Sequence, residues 1–93
     1  MTAQELKAKL ARHDEIFLID VREKFEHEEF NIGGMHVPLD EIMSNSENIP
    51  TDEQVVVYCH RGIRSQIAIQ RLEERFGFNN LINLQGGLEK WEE

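Results

Sequence analysis

The 93-residue chain is 40% hydrophobic and 30% charged, with six Gly and two Pro, a make-up that predicts one globular domain over residues 1–93. Eighteen Asp and Glu against ten Lys and Arg leave a net charge of −8, which argues against nucleic acid and against an anionic membrane surface as partners. A lone cysteine excludes an internal disulfide, and no basic start with an apolar run, nor any stretch of about 20 apolar residues, marks export or a membrane span; the expectation is a cytoplasmic protein with one free thiol.

Thr2-Ala3-Gln4-Glu5 has the form of a capping box, and Ala3, Leu6 and Leu10 fall on one face, predicting a helix from Ala3 to Arg12. Ile16 to Val21 is a near-continuous apolar run, the pattern of a strand covered on both faces. Glu23 to Phe30 reads as a short polar helix that buries little beyond Phe25 and Phe30, its charged run forming a solvated face. Asn31-Ile32-Gly33-Gly34 breaks it, and Met35 to Val37 is a short strand stopped by Pro38. Leu39 to Met43 predicts one or two helical turns, and Ser44 to Glu53 a polar surface loop. Val55 to Tyr58 is a β-branched strand. Arg64 to Phe76 is the clearest helix, with Ile67, Ala68, Leu72 and Phe76 as its apolar stripe and Gly77 as its stop. Leu81 to Leu84 is another strand, and Gln85-Gly86-Gly87 turns into a helical stretch through Trp91. Strands alternating with helices predict an α/β fold with a parallel sheet and helices on both faces.

The chemistry concentrates in Tyr58-Cys59-His60-Arg61-Gly62-Ile63-Arg64-Ser65. Cys59 directly follows a buried strand and a helix begins a few residues later. That helix starts with unpaired N–H groups and the positive end of its dipole. A loop curling from Cys59 back to the helix aims several amides inward as an anion nest, and Gly62 permits the positive φ such a curl needs. Arg61 and Arg64 add positive charge. Each of these features favours a sulfur anion over the neutral thiol. Position alone also fits a small buried thiol, but a core cysteine has no need of the adjoining glycine and arginines.

Cys59-His60-Arg61-Gly62-Ile63-Arg64-Ser65 resembles the Cys-x-x-Gly-x-Arg-Ser active-site loop of the rhodanese-like sulfurtransferases. Leu18 to Glu23 is similar to that family's first internal strand with its Asp-Val-Arg signature. Ile32 to Leu39 resembles its Gly-containing turn, and Leu84 to Trp91 its Gly-Gly-x-x-x-Trp segment. The turn at Gly33-Gly34 departs from the pattern by being one residue short, and Asn31 stands where a His is common. The resemblance implies a three-layer α/β/α fold around a parallel sheet of four to five strands, with Met1-Thr2 as a remnant of the missing strand.

It also implies ping-pong transfer of a sulfane sulfur through a persulfide on Cys59, from thiosulfate, polysulfide or a small persulfide to a thiol or protein acceptor. No resident cofactor is needed, and four His with one Cys show no metal-ligand spacing. His60, Arg61, Gly62, Ile63 and Arg64 would line the sulfur site. Arg64 would brace loop and anion, while Arg61 either meets the donor or is simply solvated. Asp20 and Arg22 are expected to pair and fix the sheet edge, and Ser65, Gly86 and Gly87 to support the loop. His60 is expected to point outward, and His27 and His36 to be ordinary surface or packed residues. The rivals are a low-turnover persulfide carrier and a cysteine phosphatase or arsenate reductase. Cysteine phosphatases resemble Cys-x₅-Arg, whereas Cys59 to Arg64 is Cys-x₄-Arg, a tighter ring suited to one sulfur atom.

Overall fold

In the structure, a computed structural model that describes residues 1–91, the chain builds one parallel sheet. Strands β1 (Phe17–Asp20), β2 (Met35–His36), β3 (Val55–Tyr58) and β4 (Leu81–Asn83) lie in the order β2-β1-β3-β4. Ile19 stands opposite both Met35 and Val57, and Val57 opposite Asn83. From β1 the sheet grows one way to β2 and the other way through β3 to β4, so strand order reverses between β1 and β3. The crevice beyond the carboxyl ends at such a reversal is where open parallel sheets bind ligands.

Side-chain alternation along the strands makes two cores. Ile19, Val55 and Val57 face α3 (Ile63–Phe76), where they meet Ala68, Ile69 and Leu72, with Ile42 and Ile49 beside them. Leu18, Val56 and Tyr58 face the other way, toward Leu6 of α1 (Ala3–Ala11) and Leu88 of α4 (Gly87–Trp91), with Trp91 packed alongside. This is the expected α/β/α layering, and it explains the unbroken apolar run in β3: all four residues are buried. Each fully buried Leu, Ile or Val contributes about 1.5–3 kcal/mol of transfer free energy.

The local rules hold at the helix ends. Thr2 Oγ1 accepts from the Glu5 amide at 3.1 Å while Glu5 Oε1 accepts from the Thr2 amide at 3.2 Å. Gly77 closes α3 in the left-handed conformation, φ 75°. Four strands are present among the described residues. Met1 lies beside the end of β4, its nitrogen donating to the Asn83 carbonyl at 3.0 Å and its carbonyl accepting from Gln85 at 2.8 Å. That is one parallel rung, cut short because Thr2 already caps α1.

The helical turn expected at Leu39–Met43 is present in 3₁₀ form, whereas the surface loop expected at Ser44–Glu53 is corrected. Leu39–Glu41 and Met43–Asn48 form 3₁₀ turns that lead to a buried Ile49. Ser44 Oγ and Asn45 Nδ2 both donate back to the Glu41 carbonyl, a side-chain competition that favours short tight turns over an α-helix. α2 (Lys24–Glu29) buries none of its residues. Phe25 and Phe30, expected to be the buried part of this segment, are 69% and 44% exposed.

Candidate active site

Cys59 leaves β3 at the strand-order reversal, and the chain curls at once so that the first turn of α3 faces its sulfur. Sγ accepts from the Gly62 amide at 3.1 Å and the Ser65 amide at 3.3 Å. Gly62 is the residue before the helix and has φ 88°, a left-handed conformation that disfavours any side chain. Two main-chain donors and the positive end of a 14-residue helix thus converge on one atom, an arrangement that stabilises negative charge there. The Cys59 residue is 1% exposed, yet it forms the floor of a pocket of about 320 Å³ walled by His60, Arg61, Ile63 and Arg64.

The far side of the loop is clamped by α4. The Leu88 amide donates to the Cys59 carbonyl at 3.0 Å and the Glu89 amide to the His60 carbonyl at 2.9 Å. A Cβ on Gly87 would lie 2.5 Å from each of these carbonyl oxygens. Gly87 (φ 61°) therefore lets the last helix close onto the loop, and Gly86 (φ 75°) completes the same turn. These glycines support the loop from behind without meeting the sulfur.

Asn83, at the end of β4, ties the loop together, and the sequence reading missed it. Its Nδ2 donates to the Gly62 carbonyl at 3.1 Å, which turns Oδ1 toward Ser65, whose hydroxyl donates to it at 2.5 Å. With the Ser65 proton committed to Asn83, the 3.3 Å contact between Ser65 Oγ and Cys59 Sγ has the thiol as donor. An amide side chain within an otherwise apolar Leu81-Ile82-Asn83-Leu84 strand was the available signal.

Each arginine near the sulfur is matched by a carboxylate. Arg64 makes a two-pronged contact with Glu26 of α2, 2.7 and 2.9 Å. That side-chain bond chiefly raises the Arg64 guanidinium above its ordinary value, and negative charge at Cys59 adds to the effect. In return the Arg64 bond draws the Glu26 carboxyl down to about 2. Glu26 Oε1 also accepts from the Glu23 amide at 3.1 Å. The run Glu23–Glu29, expected to be a solvated face, thus supplies a strut between α2 and α3. Arg61 lies 3.3 Å from Glu89 on the surface, and His60 is exposed.

Asp20 and Arg22 form the expected buried pair. Arg22 Nε and Nη2 bond the Asp20 carboxylate at 3.0 and 2.8 Å, and the Arg22 amide reaches Oδ1 at 2.9 Å. Burial opposes ionisation of Asp20, but the bonds from Arg22 and His27 outweigh it and hold the carboxyl below its usual value. His27 Nδ1 sits 2.8 Å from Asp20 Oδ2, and its ring stacks on His36 at 4.4 Å. Both histidines are thus packed at the sheet's carboxyl edge rather than in contact with the sulfur. Among the described residues no three His, Cys, Asp or Glu side chains gather as a metal site.

Known proteins resemble the chain in sequence and in fold. The chain is 35% identical over 83 residues to "Thiosulfate sulfurtransferase GlpE" of Coxiella burnetii, covering 88% of this chain and 77% of that protein. It is 28% identical over 92 residues to "Putative sulfur carrier protein YrkF" of Bacillus subtilis, covering 98% of this chain, and spans only 49% of that protein's length. The structure superposes on a rhodanese-like domain protein from Staphylococcus aureus with a TM-score of 0.87 at 28% identity, covering 98% of this chain and 88% of that one. The sequence profile of the Rhodanese-like domain matches residues 2–93, and with this topology and this loop the chain belongs to the rhodanese-like family.

Proposed function

We propose that the protein is a sulfurtransferase that passes a sulfane sulfur from a small donor such as thiosulfate or polysulfide to a thiol or protein acceptor through a persulfide on Cys59. The observation that carries this reading is the pair of main-chain amides, Gly62 and Ser65, aimed at Sγ at the start of α3. In the first half-reaction the Cys59 thiolate attacks the outer sulfur of thiosulfate. The Sγ–S bond forms, the S–S bond of the donor breaks, and sulfite leaves with the electron pair. In the second, a nucleophilic acceptor takes the terminal sulfur and restores the thiolate. This is covalent catalysis in which one difficult transfer becomes two easier ones. The amide cradle stabilises charge on sulfur in both steps, as an oxyanion hole does for oxygen.

The reaction needs no resident cofactor, since the transferred atom is itself the intermediate's cargo. We place the activity in the cytoplasm, with soluble partners and without nucleic acid or membrane. Replacement of Cys59 by Ser keeps the size of the side chain and removes the nucleophile. Thiosulfate:cyanide turnover should fall to background with the thermal unfolding midpoint nearly unchanged; retained turnover would remove Cys59 from its role. The likeness to a protein named as a putative sulfur carrier favours a second reading, in which the persulfide is handed to one protein partner with slow turnover. A single burst of thiocyanate equal to the enzyme concentration, followed by a slow phase, would select it.

A further inference from the structure

A second cleft, about 450 Å³, adjoins the Cys59 pocket, and its walls are Phe25, Phe30, Leu88, Glu26, Glu29, Arg22 and His60. His60 walls both spaces, so the cleft and the Cys59 pocket are neighbours that share one wall. Two of the cleft's phenylalanines are exposed, Phe25 by 69% and Phe30 by 44%, and Ile63 beside Cys59 is 64% exposed. Large apolar side chains left in water next to a reactive atom mark a surface built to be covered.

The charges around this surface say what kind of body covers it. The Arg22 guanidinium is bonded to Asp20, Arg64 to Glu26, and Arg61 lies against Glu89. Glu29 adds a further carboxylate to the cleft wall, and the whole chain carries −8. A small dianion such as thiosulfate meets guanidiniums that already face carboxylates and approaches against the field of the net charge. An organic persulfide bears at most one negative charge on its sulfur and has a carbon body to place against the phenylalanines.

We propose that the Phe25–Phe30 cleft binds the carbon body of an apolar organic persulfide, making that class of molecule the preferred donor. The inference rests on the sulfur-transfer reading and names its substrate class. The Cys59 thiolate attacks the outer sulfur of R–S–SH. The Sγ–S bond forms, the S–S bond to the organic thiol breaks, and RS⁻ departs with the electron pair, leaving Cys59–S–SH. Phe25 and Phe30 hold R while the loop amides hold the sulfur being transferred.

The test is the rate at which the chain gains one sulfur atom, followed by rapid quenching and intact mass, with 2-phenylethyl hydropersulfide, methyl hydropersulfide and thiosulfate as donors. The two alkyl persulfides have similar intrinsic reactivity and differ in the body that reaches the cleft. The wild-type protein should load from the phenylethyl donor about tenfold faster, the ratio expected for covering roughly 55 Å² of apolar surface. Phe25→Ser, a change at a largely exposed position that leaves the core intact, should bring the ratio toward one. Thiosulfate loading should quicken as added salt screens the repulsion. Equal rates for the two persulfides, a ratio untouched by Phe25→Ser, or thiosulfate loading slowed by salt would each overturn the assignment while leaving sulfur transfer intact. Failure of every donor to load Cys59 would instead overturn the sulfur-transfer reading itself, and this inference with it.

Discussion

Around Cys59 two main-chain amides and the Ser65 hydroxyl supply the polar contacts to sulfur, and side chains hold that main chain in place. Asn83 is the residue on which this division is most visible, because one amide spans the Gly62 carbonyl and the Ser65 hydroxyl. Asn83→Ala removes both contacts and leaves a partly buried carbonyl without its donor. The expected cost is about 1–3 kcal/mol of stability, read as a lower urea midpoint. A slower gain of sulfur at Cys59, by about tenfold, should accompany it, since the loop amides lose their fixed aim. Loading at the wild-type rate in a folded Asn83→Ala protein would show that Asn83 does not position the loop. Cys59 and Gly62 were legible in the sequence because a thiol, a glycine and a following helix sit within a few residues. Asn83 was not, because it reaches the loop only after β4 lines up beside β3, a contact no local spacing encodes.

At the scale of elements, the site is held by α2 in front and α4 behind. Glu26 joins α2 to α3 through Arg64, and its carboxyl is drawn down to about 2, chiefly by that bond. A carboxyl with a depressed value contributes stability that is complete above its ordinary value near 4.5 and is lost as pH falls toward 2. Glu26→Gln should therefore lower stability by about 1–2 kcal/mol at pH 7. The gap between the two proteins, followed by urea unfolding, should close as pH falls from 4.5 to 2. A gap that persists unchanged at pH 2 would mean that the ion pair is not its source.

Behind the loop, Gly87→Ala would place a Cβ 2.5 Å from the Cys59 and His60 carbonyl oxygens in a left-handed conformation. The expected loss is roughly 2–4 kcal/mol, seen as a fall in the thermal midpoint; an unchanged midpoint would contradict the close approach. The strut at Glu26 escaped the sequence because a run of charges at helical spacing reads the same whether it faces water or an arginine 38 residues away. The same blindness to partners made the 3₁₀ turns before Ile49 read as a loop.

For the whole molecule, the alternation of strands and helices was enough to foresee a parallel sheet covered on both faces, because apolar runs such as Val55 to Tyr58 have no other place to go. The strand order was not readable from that alternation, yet it decides the site: the reversal between β1 and β3 puts Asp20, Arg22 and Cys59 at one crevice. The overall charge of −8 was plain from the start. That the local arginines fail to offset it became visible only with their carboxylate partners in place. The central claim is that this crevice holds a transferable sulfur on residue 59. It is tested most directly by intact mass after incubation with polysulfide, with and without prior alkylation of the thiol. The account predicts a gain of one sulfur atom that a nucleophilic thiol removes and that alkylation prevents. An unchanged mass in a protein whose cysteine remains free to alkylate would contradict it.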